Sequence, residues 1–183
     1  PGTVSFNTGA PLQPFSRAPQ LRLSQEVNLV RFSLALLSQR DYASNGPDGT
    51  SSKYLKDAGI PEIQFSAELK TKGEHEFIAG MGLGYKKIMP EIKTKKNYST
   101  RETVGGISAI AYLKKTARLI TFKLEGIYLE NGSEFLSIGG YAVKDTLDAA
   151  KGIVSYAPLR TLSVWSELQT NGKIVKVGVF GGY

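Results

Sequence analysis

Charged side chains recur at alternate positions along several stretches of this 183-residue chain. Arg22, Arg31, Glu62, Glu68, Lys70, Lys86, Lys114, Lys123, Glu125 and Lys176 make up that register, and Glu26 extends it. Alternate residues of an extended strand project to one face. These groups would therefore line a wall bearing both signs, with Glu68 beside Lys70 and Lys123 beside Glu125. The chemistry open to such a wall is selection. Fixed charges along a narrow wet passage offset the hydration that an ion gives up, and they repel the wrong sign. Seven cations against four carboxylates predict a mild preference for anionic solutes. Ordinary solvated side chains on a polar face are the competing reading.

Catalysis finds little to use. His75 is the one histidine and cysteine is absent, so a zinc site of the usual composition lacks its ligands, and neither an enzyme nor a bound cofactor is expected. The stretch Asn45-Gly46-Pro47-Asp48-Gly49-Thr50-Ser51 offers oxygen ligands without EF-hand spacing and reads as a turn cluster. Gly80-Met81-Gly82-Leu83-Gly84 falls inside a strand, which argues against a nucleotide fingerprint. Its glycines either leave room on the wet side or relieve crowding in a curved sheet. Glu68 and Glu125 could be aligned as a carboxylate pair, but nothing in the sequence fixes their separation. The formal charge is +7, and much of it gathers in Lys86, Lys87, Lys93, Lys95, Lys96 and Arg101. Tyr85 and Tyr98 are the main rings among them for stacking bases, so no nucleic-acid partner is expected.

The elements that must carry these groups are strands. Pro61, Ile63, Phe65, Ala67 and Leu69 alternate with Glu62, Gln64, Ser66, Glu68 and Lys70. Phe77, Ala79, Met81, Leu83 and Tyr85 repeat the pattern, as do Ile120, Phe122, Leu124, Gly126 and Tyr128. Period-two alternation places each strand between an apolar medium and a wet one. Strands are predicted over Gln20–Gln25, Leu29–Leu37, Ile60–Thr71, Glu76–Lys86, Thr103–Lys114, Leu119–Leu129, Leu136–Val143, Arg160–Thr170 and Lys173–Tyr183, after an irregular loop over residues 1–18. Several runs reach about 11 residues, the length a tilted strand needs to cross a bilayer. No run approaches the roughly 20 apolar residues of a spanning helix.

Connections alternate in length. Glu26–Asn28, Lys72–His75, Lys115–Arg118 and Asn171–Gly172 read as tight turns, the last suited to a two-residue hairpin. Long polar links are predicted at Ser38–Gly59, Lys87–Glu102 and Lys144–Leu159, with a shorter one near Glu130–Phe135. Hairpin pairing would gather the tight turns at one rim and the long links at the other, as in outer-membrane barrels. Tyr85, Tyr128 and Tyr183 share the apolar register and suit a headgroup girdle, whereas Tyr112 and Trp165 fall with the polar one. The expectation is one all-β domain over residues 1–183, an antiparallel up-and-down transmembrane β-barrel. A count of nine strands is odd, so an incomplete barrel or a miscounted strand is expected. A soluble barrel with an apolar ligand inside and a non-conducting outer-membrane barrel are the alternatives. No signal peptide is visible, and a chain beginning Pro1-Gly2-Thr3 looks like a mature or truncated product.

The phrases Arg17–Glu26 (RAPQLRLSQE), Gly46–Glu62 (GPDGTSSKYLKDAGIPE), Gly139–Val143 (GGYAV) and Leu162–Gln169 (LSVWSELQ) resemble the later part of DcaP-like outer-membrane porins of the Bacteroidota. The resemblance implies a passive channel for small hydrophilic solutes in a bacterial outer membrane. It also implies contact with outer-membrane lipid, a homotrimer, and a full barrel of about twice this strand number.

Overall fold

The computed structural model describes residues 17–71, 73, 75–135, 137 and 139–183. Most of the expected loop at residues 1–18 lies outside the described residues. The strands are β1 (Gln20–Val27), β2 (Val30–Leu37), β3 (Asn45–Gly46), β4 (Gly49–Thr50), β5 (Glu62–Lys70), β6 (Phe77–Ile88), β7 (Val104–Thr116), β8 (Ile120–Glu130), β9 (Tyr141–Asp148), β10 (Ile153–Pro158), β11 (Arg160–Thr170) and β12 (Gly178–Gly182). A short helix, α1 (Lys53–Asp57), follows β4.

Eight of the strands form one antiparallel sheet in the order β1-β2-β5-β6-β7-β8-β11-β12. Each pairs with its predecessor in the sheet, and among the described residues β1 and β12 are its two edges. The long strands β6, β7, β8 and β11 hold 12, 13, 11 and 11 residues. Their register aligns the alternation from strand to strand. Phe32 sits across from Ala67, Ala67 from Met81 and Met81 from Ala111, while Arg31 sits across from Glu68, Glu68 from Gly80 and Gly80 from Tyr112. The charged side chains of the register therefore share one face, with Ile110, Ile127 and Leu129 among them, and the opposite face is mainly apolar.

The polar face is the better covered of the two. Lys123 and Glu167 are 3% and 1% exposed, while Phe65 and Phe122 on the apolar face are 39% and 37% exposed. Polar groups ordinarily occupy the solvated side of a two-faced sheet; here the apolar side is the open one.

The rims differ as their connections predict. The β1–β2, β5–β6, β7–β8 and β11–β12 links share one end, and the β2–β5, β6–β7 and β8–β11 links share the other. At the second end the long links pack on each other. Tyr54 and Leu55 of α1 join Ile88 and Val104 in a buried cluster, with Tyr141 and Tyr156 against it. Lys96 Nζ donates to the Ala149 and Ala150 carbonyls at 2.8 and 3.1 Å, and Thr94 Oγ1 to that of Lys151 at 2.7 Å.

Three expectations are corrected. The predicted strand Leu136–Val143 is not a strand of the sheet. Ser133–Phe135 forms a 3-10 turn and Gly140 takes a φ of 103°, so the chain bends before pairing resumes at Tyr141. Leu136 and Ile138 lie outside the described residues. Removing that strand leaves an even count. The expected loop Lys144–Leu159 is largely the hairpin of β9 with β10, which lies outside the large sheet. The Asn171–Gly172 turn is longer than two residues, since Thr170 bonds to Val177 across it. Asn171 is taken up by the β7–β8 turn: its Nδ2 donates to the Ala117 carbonyl at 2.6 Å, and its Oδ1 accepts from Thr121 Oγ1 at 2.8 Å.

Candidate functional site

Charge, cavity and the turn after β8 meet on the polar face. Nine of the ten expected wall residues, Arg22, Arg31, Glu62, Glu68, Lys70, Lys86, Lys114, Lys123 and Glu125, lie on it by register, together with Glu26. Lys176 stands apart, exposed in the link before β12.

Pairing organises the charges into belts. Near the tight-turn rim, Lys114 and Lys123 are direct cross-strand partners, an arrangement that costs stability unless each cation finds an anion. Each does. Lys114 Nζ lies 2.6 Å from Glu76, and Lys123 Nζ lies 2.6 Å from Glu167. Lys70 reaches the other oxygen of Glu76 at 3.7 Å. In the next belt Arg31 bonds Glu26 on β1, Tyr112 donates to Glu68 at 2.6 Å, and Trp165 Nε1 donates to Glu125 at 3.1 Å. Near the long-link rim Lys86 Nζ bonds Glu134 at 2.6 Å and the Asn131 carbonyl at 2.7 Å, both from the link after β8.

Three of these carboxylates escaped the sequence reading. Glu167 was legible, because it sits two residues from Trp165 on the polar parity of β11. Glu76 was legible too, as the first residue of the predicted strand Glu76–Lys86 and on the parity of Lys86, whereas Glu134 belongs to the turn after β8, where strand parity gives no sign. With Glu76, Glu134 and Glu167 included, the cationic excess behind the anionic expectation disappears.

The glycines of β6 are seats for β7. A side-chain carbon on Gly80 would collide with the Tyr112 ring, one on Gly84 with Ser108 Oγ, and one on Gly82 would crowd Ile110. Gly80 lets the Tyr112 ring lie flat against the wall with its hydroxyl on Glu68.

Beside Gly82 is a cavity of about 210 Å³, floored by Ala35, Ile110 and Ile127, edged by Arg22 and Gln64, and roofed by Phe135. A second, of about 250 Å³, adjoins it with Gln39, Glu62 and Glu134 in its wall. Phe135 reaches the face from the 3-10 turn after β8, where its ring packs against the buried pair Ile127 and Leu129. The link also closes on itself, with Gly140 N donating to Asn131 Oδ1 at 2.9 Å. Arg22 bonds Gln20 at 2.9 Å and so brings a guanidinium to the cavity edge.

No described group of three or more His, Cys, Asp or Glu residues could hold a metal. Glu68 and Glu125 are engaged by Tyr112 and Trp165, an arrangement that fixes side chains against the wall. What the face can do chemically is present polar and charged groups to a solute moving along it. No family model, curated protein or solved structure matches the chain, so its geometry alone carries the functional reading.

Proposed function

We propose that the chain is a wall segment of an outer-membrane β-barrel, its apolar face against lipid and its polar face lining an aqueous passage for small hydrophilic solutes. The observation that carries this reading is the inverted burial of the sheet. Leu34, Phe65, Leu83, Phe122, Leu162 and Val164 form an uncovered apolar surface, while lysines and glutamates are packed together behind it. An apolar area of that continuity calls for an apolar medium. A soluble barrel around an apolar ligand would need those same residues turned inward.

Strand number bears on conduction. A closed barrel of about eight strands is filled by its own side chains, whereas porins of about 16 to 18 strands leave a water-filled channel. Among the described residues β1 and β12 are the sheet's edges, and an edge strand presents unpaired ladder groups, so the channel reading calls for further strands beside them. The homotrimer implied by the resemblance is compatible with this reading. Paired lysines and carboxylates leave the wall near charge balance, which favours weak selectivity between anions and cations over the anionic preference expected from the strand register.

The test is reconstitution. A detergent requirement, heat-dependent migration on gels and steady conductance in a planar bilayer are expected. Brominated lipid should quench a tryptophan introduced by Phe65→Trp and leave Trp165 bright. Water solubility without detergent, or equal quenching of both, overturns the reading.

A further inference from the structure

The Asn131–Gly140 link meets the polar face at an apolar contact, through Phe135, and at a charged one, through Lys86. The charged contact is contested. Glu134 lies in the 3-10 turn of the link, and Lys86 is a buried residue of β6. Carrying the β5–β6 register one residue past Ile63 and Tyr85 sets Glu62 across from Lys86. Glu62 is buried, accepts from Gln64 Nε2 at 2.7 Å, and lies within the electrostatic reach of both Lys86 and Glu134. Two carboxylates from different elements thus flank one ammonium. That ammonium has three donors, two of which bond the link, one to Glu134 and one to the Asn131 carbonyl.

We propose that Lys86 is a two-position tether: bound to Glu134 it holds the Ser133–Phe135 turn against the polar face and narrows the passage, and bound to Glu62 it lets that turn swing clear. The effect on the passage rests on the channel reading; the tether itself does not. The structure captures the held state, in which Phe135 roofs the cavity at Gly82 and Glu134 walls its neighbour. Arg22, exposed at the cavity edge, also faces this cluster.

Competition gives the two carboxylates opposite effects, which a merely structural role would not. Ser133 Oγ is enclosed in the held state, and the chain has no cysteine, so Ser133→Cys provides a single buried reporter. In the detergent-solubilised full chain, a charged thiol reagent should label it about tenfold or more faster in Glu134→Gln and Lys86→Met, the factor expected for losing a charge-assisted hydrogen bond. Glu62→Gln should label more slowly than the parent. Glu134→Gln alters only the link and keeps the test decisive if Lys86→Met does not fold. Equal rates in Glu134→Gln and the parent, or Glu62→Gln labelling faster than the parent, overturn the tether. In a bilayer, Glu134→Gln should conduct more than the parent and Glu62→Gln less. The expected labelling order without any conductance supports the tether and overturns the channel reading alone.

Discussion

Phe122 and Lys123 are adjacent in β8, and the lysine is the more buried of the two, at 3% exposed against 37% for the phenylalanine. A soluble sheet would reverse those numbers, since an unpaired buried ammonium costs several kcal/mol and an exposed ring forgoes about 2 kcal/mol of burial. Here the ammonium is compensated by Glu167 at 2.6 Å, and lipid would compensate the ring.

Phe122→Arg should therefore cost on the order of 2 to 4 kcal/mol in a bilayer if the site lies near the midplane. Ser66→Arg, on the polar face beside the Gly82 cavity, should cost far less. Urea-dependent unfolding from lipid vesicles measures both. Equal costs would mean that the two faces meet the same medium.

The Lys123–Glu167 pair makes a different demand. Removing one partner by Lys123→Met or Glu167→Gln strands a buried charge or an unpaired donor, at about 3 to 5 kcal/mol for a broken buried pair. Replacing both by methionine should recover most of that loss, since a well-packed apolar pair avoids the desolvation cost. A double-mutant cycle on unfolding free energy checks it, with strong non-additivity expected.

The alternation that makes Phe65 and Glu68 face opposite ways is local, and one backbone period suffices to read it. Eight strands, and the polar-face placement of nine of the charged residues, follow from that period. What escaped it was set by distant contacts. Asn171 looks like a hairpin residue until Ala117 and Thr121 occupy its amide. Leu136–Val143 has strand-like residues, but Gly140 turns the chain out of line, and the preceding Phe135 finds a better surface on Ile127 and Leu129. Glu134 becomes a wall residue through the same fold-back.

Gly80 and Gly181 should respond oppositely to substitution. Gly80 is covered by the Tyr112 ring, whereas nothing stands within 4 Å of where a side-chain carbon would go at Gly181. Gly80→Val should cost about 1 to 3 kcal/mol by overpacking and break the Tyr112 to Glu68 bond. Gly181→Val, on the apolar parity of β12, should be neutral within about 0.5 kcal/mol. Thermal or urea unfolding distinguishes them, and equal penalties would mean that Tyr112 moves aside freely.

The packed links at the long-link rim should fail in alkali before the sheet does. Burial beside Tyr54, with Glu91 nearby, pushes the Tyr141 phenol up to about 12. Tyr156 is likewise raised, by burial first and then by Glu91, whose carboxylate it meets at 3.3 Å. A phenol raised above its unfolded value of about 10 contributes stability that is whole below that pH. The unfolded links ionise first as pH rises, so the contribution shrinks from about pH 10 and is gone above the folded value. Tyrosinate absorbance, followed alongside hydrogen exchange of β9 and β10, should show the hairpin opening in that window. Tyr141→Phe with Tyr156→Phe should hold it closed to higher pH. The sheet strands, whose ladder owes nothing to either phenol, should keep their exchange protection throughout.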